Sequence, residues 1–179
     1  MLKIAAIAVT LLLGSILLVV VVGYVLPKQH VAARAIALRQ KPADVFALIS
    51  NFKDGPAWRA GLRQVELLPD RDGHTRFRES SKNGSIIMEV VGWNPPQRLV
   101  TRIDDKGLPF GGIWIFEVSP VVEGSRLNIT ERGEVYNPVF RFVSRFILGY
   151  TGTLDTYLTN VARKFGENAV PVEGDVAQR

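Results

Sequence analysis

Four glutamates lie within segments whose pattern predicts β-strands, and a carboxylate in such a position can do chemistry. They are Glu79, Glu89, Glu117 and Glu131. A strand carboxylate that faces the interior needs a compensating partner, and it can then orient a ligand headgroup or transfer a proton. Glu79 is the best candidate for an inward position because it shares strand parity with Phe77. The alternative is that all four glutamates face solvent and pair with nearby arginines.

The usual catalytic combinations do not occur in the sequence. There is no cysteine, which excludes thiol nucleophiles. The two histidines, His30 and His74, have no partners at metal-ligand spacing, so we predict no metal site. No Gly-x-Ser-x-Gly motif and no glycine-rich phosphate loop is found. We therefore assign no catalytic residue and predict no cofactor.

The segments that must position the glutamates alternate with turn residues. Strands are predicted at 31–39, 62–68, 75–81, 85–93, 98–104, 113–119 and 125–136. Pro42 favours the start of a helix after the first strand, and a second short helix or turn is predicted at 55–60. The short turns between the later strands predict an antiparallel sheet, which must bury one face.

A helical pattern covers residues 139–165, with a break predicted at 149–152. Its apolar stripe would cover the sheet and consists of Leu154, Tyr157, Leu158, Val161 and Phe165. The sequence therefore predicts an α+β domain over residues 28–166. Residues 167–179 are predicted to be a flexible tail.

Residues 4–26 contain no charge. A helix of this length spans roughly 34 Å, enough to cross a bilayer. We predict one transmembrane anchor over residues 1–27, so that the protein is a single-pass membrane protein. A cleaved signal sequence is the alternative, although its apolar region is usually shorter, about 7–15 residues. Lys3 on one side and Lys28 and Arg34 on the other give no bias for orientation, so the side of the soluble domain stays open.

The net charge of +5 is spread along the chain without a block of Lys and Arg. Diffuse positive charge suits an anionic membrane surface somewhat better than nucleic acid, and an ordinary basic surface is an equally good alternative. We predict the lipid bilayer as a partner and no nucleic acid. The sequence leaves the oligomeric state open.

Several motifs follow one another in a recognisable order. They are the first strand leading into Lys41-Pro42-Ala43-Asp44-Val45-Phe46, then Asn51-Phe52 and Trp58, Trp114-x-Phe116, and the helix 154–165. In this order and spacing the chain resembles a START-like (SRPBCC, polyketide cyclase/lipid-transport) domain, from about residue 28 to 166. Leu26-Pro27-Lys28 after the apolar segment resembles a membrane-anchored subgroup. The resemblance implies a helix-grip fold, in which a curved antiparallel sheet wraps around a long C-terminal helix with a cavity between them.

An apolar cavity of this kind suits a lipid, quinone or polyketide-like ligand. The candidate lining residues are Phe77, Glu79, Met88, Val90, Trp114, Phe116, Glu131, Leu154, Tyr157 and Leu158. The alternative is that the apolar members simply fill a closed core. A void of several hundred cubic ångströms that opens toward the anchor would favour a carrier.

Two segments carry apolar residues that are candidates for membrane contact. Leu108 and Phe110 lie in a glycine-flanked loop, and Phe142 and Phe146 lie along one helical stripe. In each case the alternative is that the residues fold down onto the domain.

We favour a membrane-tethered module that binds or transports a hydrophobic small molecule. Two alternatives stay open. One is an enzyme of the cyclase or dehydratase type on the same fold, which needs an inward acid–base pair. The other is a protein-interaction domain without a ligand.

Overall fold

A computed structural model describes residues 2–178; Met1 and Arg179, the outer ends of the predicted anchor and tail, lie outside the described residues. Its helices are α1 (Leu2–Val25), α2 (Pro42–Ser50), a 3-10 helix (Phe52–Ala57), α3 (Pro138–Val143), a π-helical turn (Ser144–Leu148) and α4 (Gly152–Lys164). The strands are β1 (Gln29–Leu38), β2 (Leu62–Arg71), β3 (His74–Ser81), β4 (Gly84–Asn94), β5 (Arg98–Ile103), β6 (Phe110–Val121), β7 (Gly124–Val135) and β8 (Val172–Glu173).

All eight strands form one antiparallel sheet in the order β2-β3-β4-β5-β6-β7-β1-β8. Strands β2 to β7 follow the meander that the turn residues predict. Strand β1 then pairs with β7 along its whole length. Gly124 sits in the β6–β7 turn at φ 130°, where a Cβ would lie 2.1 Å from the Leu38 carbonyl oxygen. The prediction of an α+β fold with an antiparallel sheet is confirmed.

One side of the sheet, called here the inner face, packs against α2 and α4. Cross-strand register puts Leu99, Phe116 and Ile129 side by side on this face, and all three are buried. The stripe on α4 meets them, since Leu154, Leu158 and Val161 have no exposed surface. Burial of these side chains stabilises the domain by about 1.5–3 kcal/mol each.

The break predicted at 149–152 is present. Gly149 takes a φ of 72° and ends the π-helical turn, and α4 then begins at Gly152 and runs for 13 residues. Helix α3 does not join α4 on the sheet. It packs instead against α1.

Because neighbouring strands alternate in direction, the sheet has two distinct ends. At the end called here the anchor end, β1 begins close to α1, β7 ends and β6 begins. The opposite, distal end carries the β2–β3 turn and the β6–β7 turn. Residues 26–28 alone separate α1 from β1.

Helix α1 is long and apolar enough to cross a membrane, and a signal sequence has the same properties. Its C-terminal end is tied to the domain. Gly23 lies against the Pro138 backbone, where a Cβ would approach the carbonyl oxygen to 2.0 Å. The buried Arg141 guanidinium donates to the carbonyl oxygens of Tyr24 and Leu26, at 3.4 and 3.0 Å. Arg141 thereby satisfies carbonyl groups that the end of a helix leaves free.

The C-terminal residues form more structure than a flexible tail. Strand β8 pairs with β1 on its free edge. Beyond β8 the chain crosses the outer face of the sheet, where Asn128 donates to the Asp175 carbonyl at 2.8 Å and Arg132 to the Ala177 carbonyl at 2.7 Å. The expectation of fraying is therefore corrected for residues 171–178. The backbone carbonyl groups of this segment accept hydrogen bonds from side chains that lie far away in the sequence, and these bonds hold the segment on the sheet.

Candidate functional site

The inner face holds a group of aromatic rings around Tyr157 of α4, called here the Tyr157 cluster. Trp58, Trp114 and Phe116 surround the Tyr157 ring at centroid distances of 5.4, 5.8 and 5.5 Å. Edge-to-face and tilted contacts of this kind are favourable between aromatic rings. Burial raises the pKa of the Tyr157 phenol, so its hydroxyl stays protonated at neutral pH.

An ion pair borders this cluster. The Arg59 guanidinium makes two hydrogen bonds to the Glu79 carboxylate, one of them 2.9 Å long. The Arg59 Cζ also lies 5.0 Å from the Tyr157 ring centroid, a cation–π distance. Burial alone would lower the pKa of Arg59, but the hydrogen bonds and charge of Glu79 raise it overall. Glu79 thus points to the inner face with its charge balanced.

A second pair lies at the anchor end of the inner face. His30 Nε2 is 3.4 Å from Glu131 Oε1, and the His30 ring stacks on Tyr150 at 3.9 Å. Glu131 is the direct cross-strand neighbour of Trp114, which brings its carboxylate beside the Tyr157 cluster. Glu131 Oε2 is buried and has no hydrogen-bond partner among residues 2–178. The inner face therefore contains a buried acceptor that no donor among the described residues satisfies.

The other two strand glutamates lie on the outer face. Glu89 is only 2% exposed and accepts a 2.5 Å hydrogen bond from Arg102, while Glu117 pairs with Arg98 at 3.3 Å. Both therefore bind arginines on the opposite side of the sheet from the Tyr157 cluster.

The ten predicted lining residues all lie on the inner face or on α4, and they fall into two groups. Six are buried in the core: Phe77, Val90, Phe116, Leu154, Tyr157 and Leu158. Four are half-buried and lie toward the anchor end: Glu79, Met88, Trp114 and Glu131. The half-buried group is the accessible part of the predicted lining.

A groove of about 600 Å³ lies at the distal end, between the α2–3-10 connection and strands β2 to β4. Its volume is in the range of ligand pockets, about 300–1,000 Å³. Its walls include Phe52, Leu67, Trp93 and one predicted lining residue, Val90. Phe52 stacks on Phe77 at 4.1 Å, and Val90 belongs to both the groove wall and the inner face, so the groove borders the inner face. The groove has the expected size, but no residue of α4 lines it and it lies at the distal end, so it differs in position from the cavity expected between the sheet and α4 on the anchor side.

Several of the residues in these contacts were not predicted as site residues. Arg59 follows the 3-10 helix and has no strand parity to reveal its direction. His30 begins β1, and only the pairing of β1 with β7 brings it to Glu131. In the sequence, only the family resemblance draws attention to Trp58. In the structure its indole Nε1 is buried without a hydrogen-bond partner among the described residues.

The candidates for membrane contact differ in exposure. Leu108 is half-buried and Phe110 is exposed, in the loop next to the anchor end. Phe142 is half-buried against Phe146, whose ring lies 4.9 Å away and is 60% exposed. Further apolar side chains of the same segment are also exposed: Val139, Phe140, Ile147 and Leu148.

A family model described as polyketide cyclase / dehydrase and lipid transport matches residues 29–166. The chain belongs to this family. The match spans β1 to the end of α4, and so includes the inner face and every predicted lining residue. A comparison with curated proteins gives no match.

Solved structures share the fold of this polyketide cyclase / lipid transport domain. A conserved protein from Geobacillus kaustophilus superimposes with a TM-score of 0.64 at 15% identity, covering 79% of this chain and 99% of that one. Norcoclaurine synthase from Thalictrum flavum gives 0.61 at 13% identity, with coverages of 78% and 88%. The di-domain ARO/CYC StfQ of the steffimycin biosynthetic pathway gives 0.59 at 11% identity, covering 77% of this chain and 52% of that one. At these identities the likeness concerns the fold alone.

Proposed function

We propose that the protein is a membrane-tethered module that binds or transports a hydrophobic small molecule, such as a lipid, a quinone or a polyketide-like compound. The observation that carries the proposal is the half-buried aromatic lining of the inner face. Trp58 and Trp114 retain exposed surface beside the buried Tyr157 ring. Aromatic walls with a few polar groups are typical of small-molecule sites.

The distal groove extends this surface. Phe52 belongs both to the groove wall and to the stack with Phe77. A ligand that extends from the groove along the inner face would contact apolar walls at the distal end and the polar pairs of Glu79 and Glu131 at the anchor end.

The tether rests on α1 and on the surface beside it. Phe146, Ile147 and Leu148 are 60, 69 and 70% exposed in the π-helical turn that follows α3, and α3 packs on α1. An apolar surface that continues from the end of an apolar helix suits the boundary between headgroups and acyl chains. Arg145 lies in the same turn and is exposed, and its positive charge favours contact with anionic lipid.

Mass spectrometry of solvent extracts tests the ligand-binding part. Full-length protein is purified in detergent as wild type and as the variants Trp114→Leu and Trp93→Leu, with Val122→Ala as a control on an exposed turn. We expect the wild type and the control to carry the same hydrophobic compound in near-stoichiometric amount. Loss in Trp114→Leu assigns binding to the inner face, and loss in Trp93→Leu extends it to the groove. A wild type without such a compound would contradict the proposal.

Carbonate extraction and intact mass test the tether. We expect the protein to stay in the membrane pellet and to retain residues 2–26. A mass that lacks this segment would show that α1 is a cleaved signal, and release of the intact chain into the supernatant would contradict the tether.

The enzyme alternative is favoured by one observation, the contact of His30 with Glu131 next to the aromatic rings. Such a pair can exchange a proton with a bound molecule. Glu131→Gln and Glu79→Gln should each abolish any conversion of the co-purified compound if they are its acid–base groups. Unchanged conversion in both variants would remove the enzyme alternative's best candidates.

A further inference from the structure

The polar end of the proposed ligand site is built around Glu131. Its Oε1 faces His30, whereas its Oε2 is buried and unpaired within residues 2–178. A buried carboxylate oxygen without a donor is unfavourable. A ligand that supplies a donor to Oε2 relieves this cost.

We propose that Glu131 binds a hydrogen-bond donor on the ligand, so that the site selects hydroxyl- or ammonium-bearing amphiphiles over anionic ones. This inference rests on the proposed function, that the inner face binds a hydrophobic small molecule. It adds the chemical class of the ligand's polar group.

The charges around Glu131 support this selection. Arg59 pairs with Glu79, and Arg34 pairs with Asp155 at 2.5 Å. Both guanidinium groups therefore already have carboxylate partners, and a carboxylate or phosphate group on the ligand would have to compete for them. It would also face the Glu131 charge itself.

The surroundings of Glu131 hold it in place. The His30 ring is fixed between Tyr150 and the sheet, where Gly133 provides the space it needs: a Cβ at Gly133 would lie 2.2 Å from His30 Cε1. Trp114 lies directly across from Glu131 on β6. In the proposed mode of binding the apolar body of the ligand lies along the Trp114 ring and its terminal donor lies at the carboxylate.

Native mass spectrometry of the full-length protein, released from detergent, tests the inference with three probes of matched length. They are 4-hexylphenol, which has a donor, 4-hexylanisole, which lacks it, and 4-hexylbenzoate, which is an anion. We expect the phenol to bind roughly tenfold more tightly than the anisole, since a site with an unpaired acceptor discriminates against a ligand without a donor. The benzoate should bind most weakly.

Two variants locate the effect. Glu131→Met keeps the length of the side chain and removes the acceptor, so it should abolish the preference for phenol and leave anisole binding in place. Glu117→Met makes the same change on the outer face and should keep the preference. If Glu131→Met does not fold, the ranking of the three probes on the wild type still decides whether the site prefers a donor.

The outcomes separate this inference from the proposed function. Equal binding of phenol and anisole, or tightest binding of benzoate, overturns the inference and leaves a hydrophobic-ligand site. Preference for phenol retained in a folded Glu131→Met overturns the assignment to Glu131. Failure of all three probes to bind contradicts the proposed function, and the inference falls with it.

Discussion

At the scale of single residues, the absence of a side chain at Gly133 sets the position of the His30 ring. The His30 ring occupies the space next to Gly133, and a Cβ there would lie 2.4 Å from Nε2 and 3.1 Å from Glu131 Oε1. Gly133→Ala should destabilise the domain by about 1–3 kcal/mol through overpacking. Thermal and urea unfolding measure this. In the double variant with His30→Ala most of the loss should be recovered, because the clashing ring is gone.

Gly152→Ala is the matched control, since a Cβ at this first residue of α4 meets nothing within 4 Å. It should be neutral or slightly stabilising. Equal stability of Gly133→Ala and the wild type would show that His30 does not lie against Gly133.

Asp104 is the residue whose charge most clearly links stability to pH. Its hydrogen bonds with Arg71 and then Arg76 lower its pKa from the ordinary value of 3.8. A carboxylate with a lowered pKa in the folded state stabilises the fold above the pKa of the unfolded state. That stabilisation is lost as the pH falls through the folded pKa. Asp104→Asn should therefore lower Tm near pH 7 and weaken the decline of Tm toward about pH 2.

Melting curves across this pH range check the prediction, with the exposed Asp70→Asn as control. The wild type and Asp104→Asn should converge at the acid end. A constant difference between them at every pH would contradict an electrostatic role for Asp104.

At the scale of elements, the C-terminal segment 171–178 acts as a cover for the outer face. Thr130 of β7 is fully buried, and its hydroxyl donates to the Asp175 carbonyl at 3.2 Å and accepts from the Ala177 amide at 2.9 Å. Thr130→Val keeps the shape and removes both bonds, leaving the Ala177 amide unpaired. We expect a loss of about 1–3 kcal/mol in the free energy of unfolding.

Hydrogen exchange adds a local readout, because the amide of Ala177 should become exchangeable in Thr130→Val. Thr153→Val, at an exposed position in α4, is the matched control and should change neither quantity. Unchanged protection at Ala177 in Thr130→Val would mean that this segment does not depend on the sheet.

The elements also show what a sequence can and cannot predict. Strands β2 to β7 follow from local signals, since turn residues such as Asp72-Gly73 interrupt alternating segments. Other contacts depend on partners that are distant in the sequence and leave no local pattern. Arg141, which ties α3 to α1, bonds a residue more than 100 positions away, and Arg132, which holds residues 171–178, bonds one about 45 positions away. Parity predicted that Glu79 and Phe77 share a face. It gave no indication that Arg59 would reach Glu79.

At the scale of the whole molecule, the apolar helix, the three-residue connection and the inner face belong to one arrangement. Residues 26–28 are too short to let the domain move far from the end of α1, and Arg141 holds that end by hydrogen bonds. In the proposed account the domain therefore collects its ligand close to the bilayer. The position of the groove at the distal end implies that the ligand's apolar body reaches away from the anchor, while its donor lies toward it.

The binding of a hydrophobic ligand by the inner face can be tested directly by native mass spectrometry. The sample is the wild-type, full-length protein, purified in mild detergent without added ligand. We predict a chain that retains residues 2–26 and carries one equivalent of a hydrophobic molecule, which is released at higher collision energy. A chain of the same length that shows no adduct under any mild condition would contradict the central claim that the inner face binds a hydrophobic ligand.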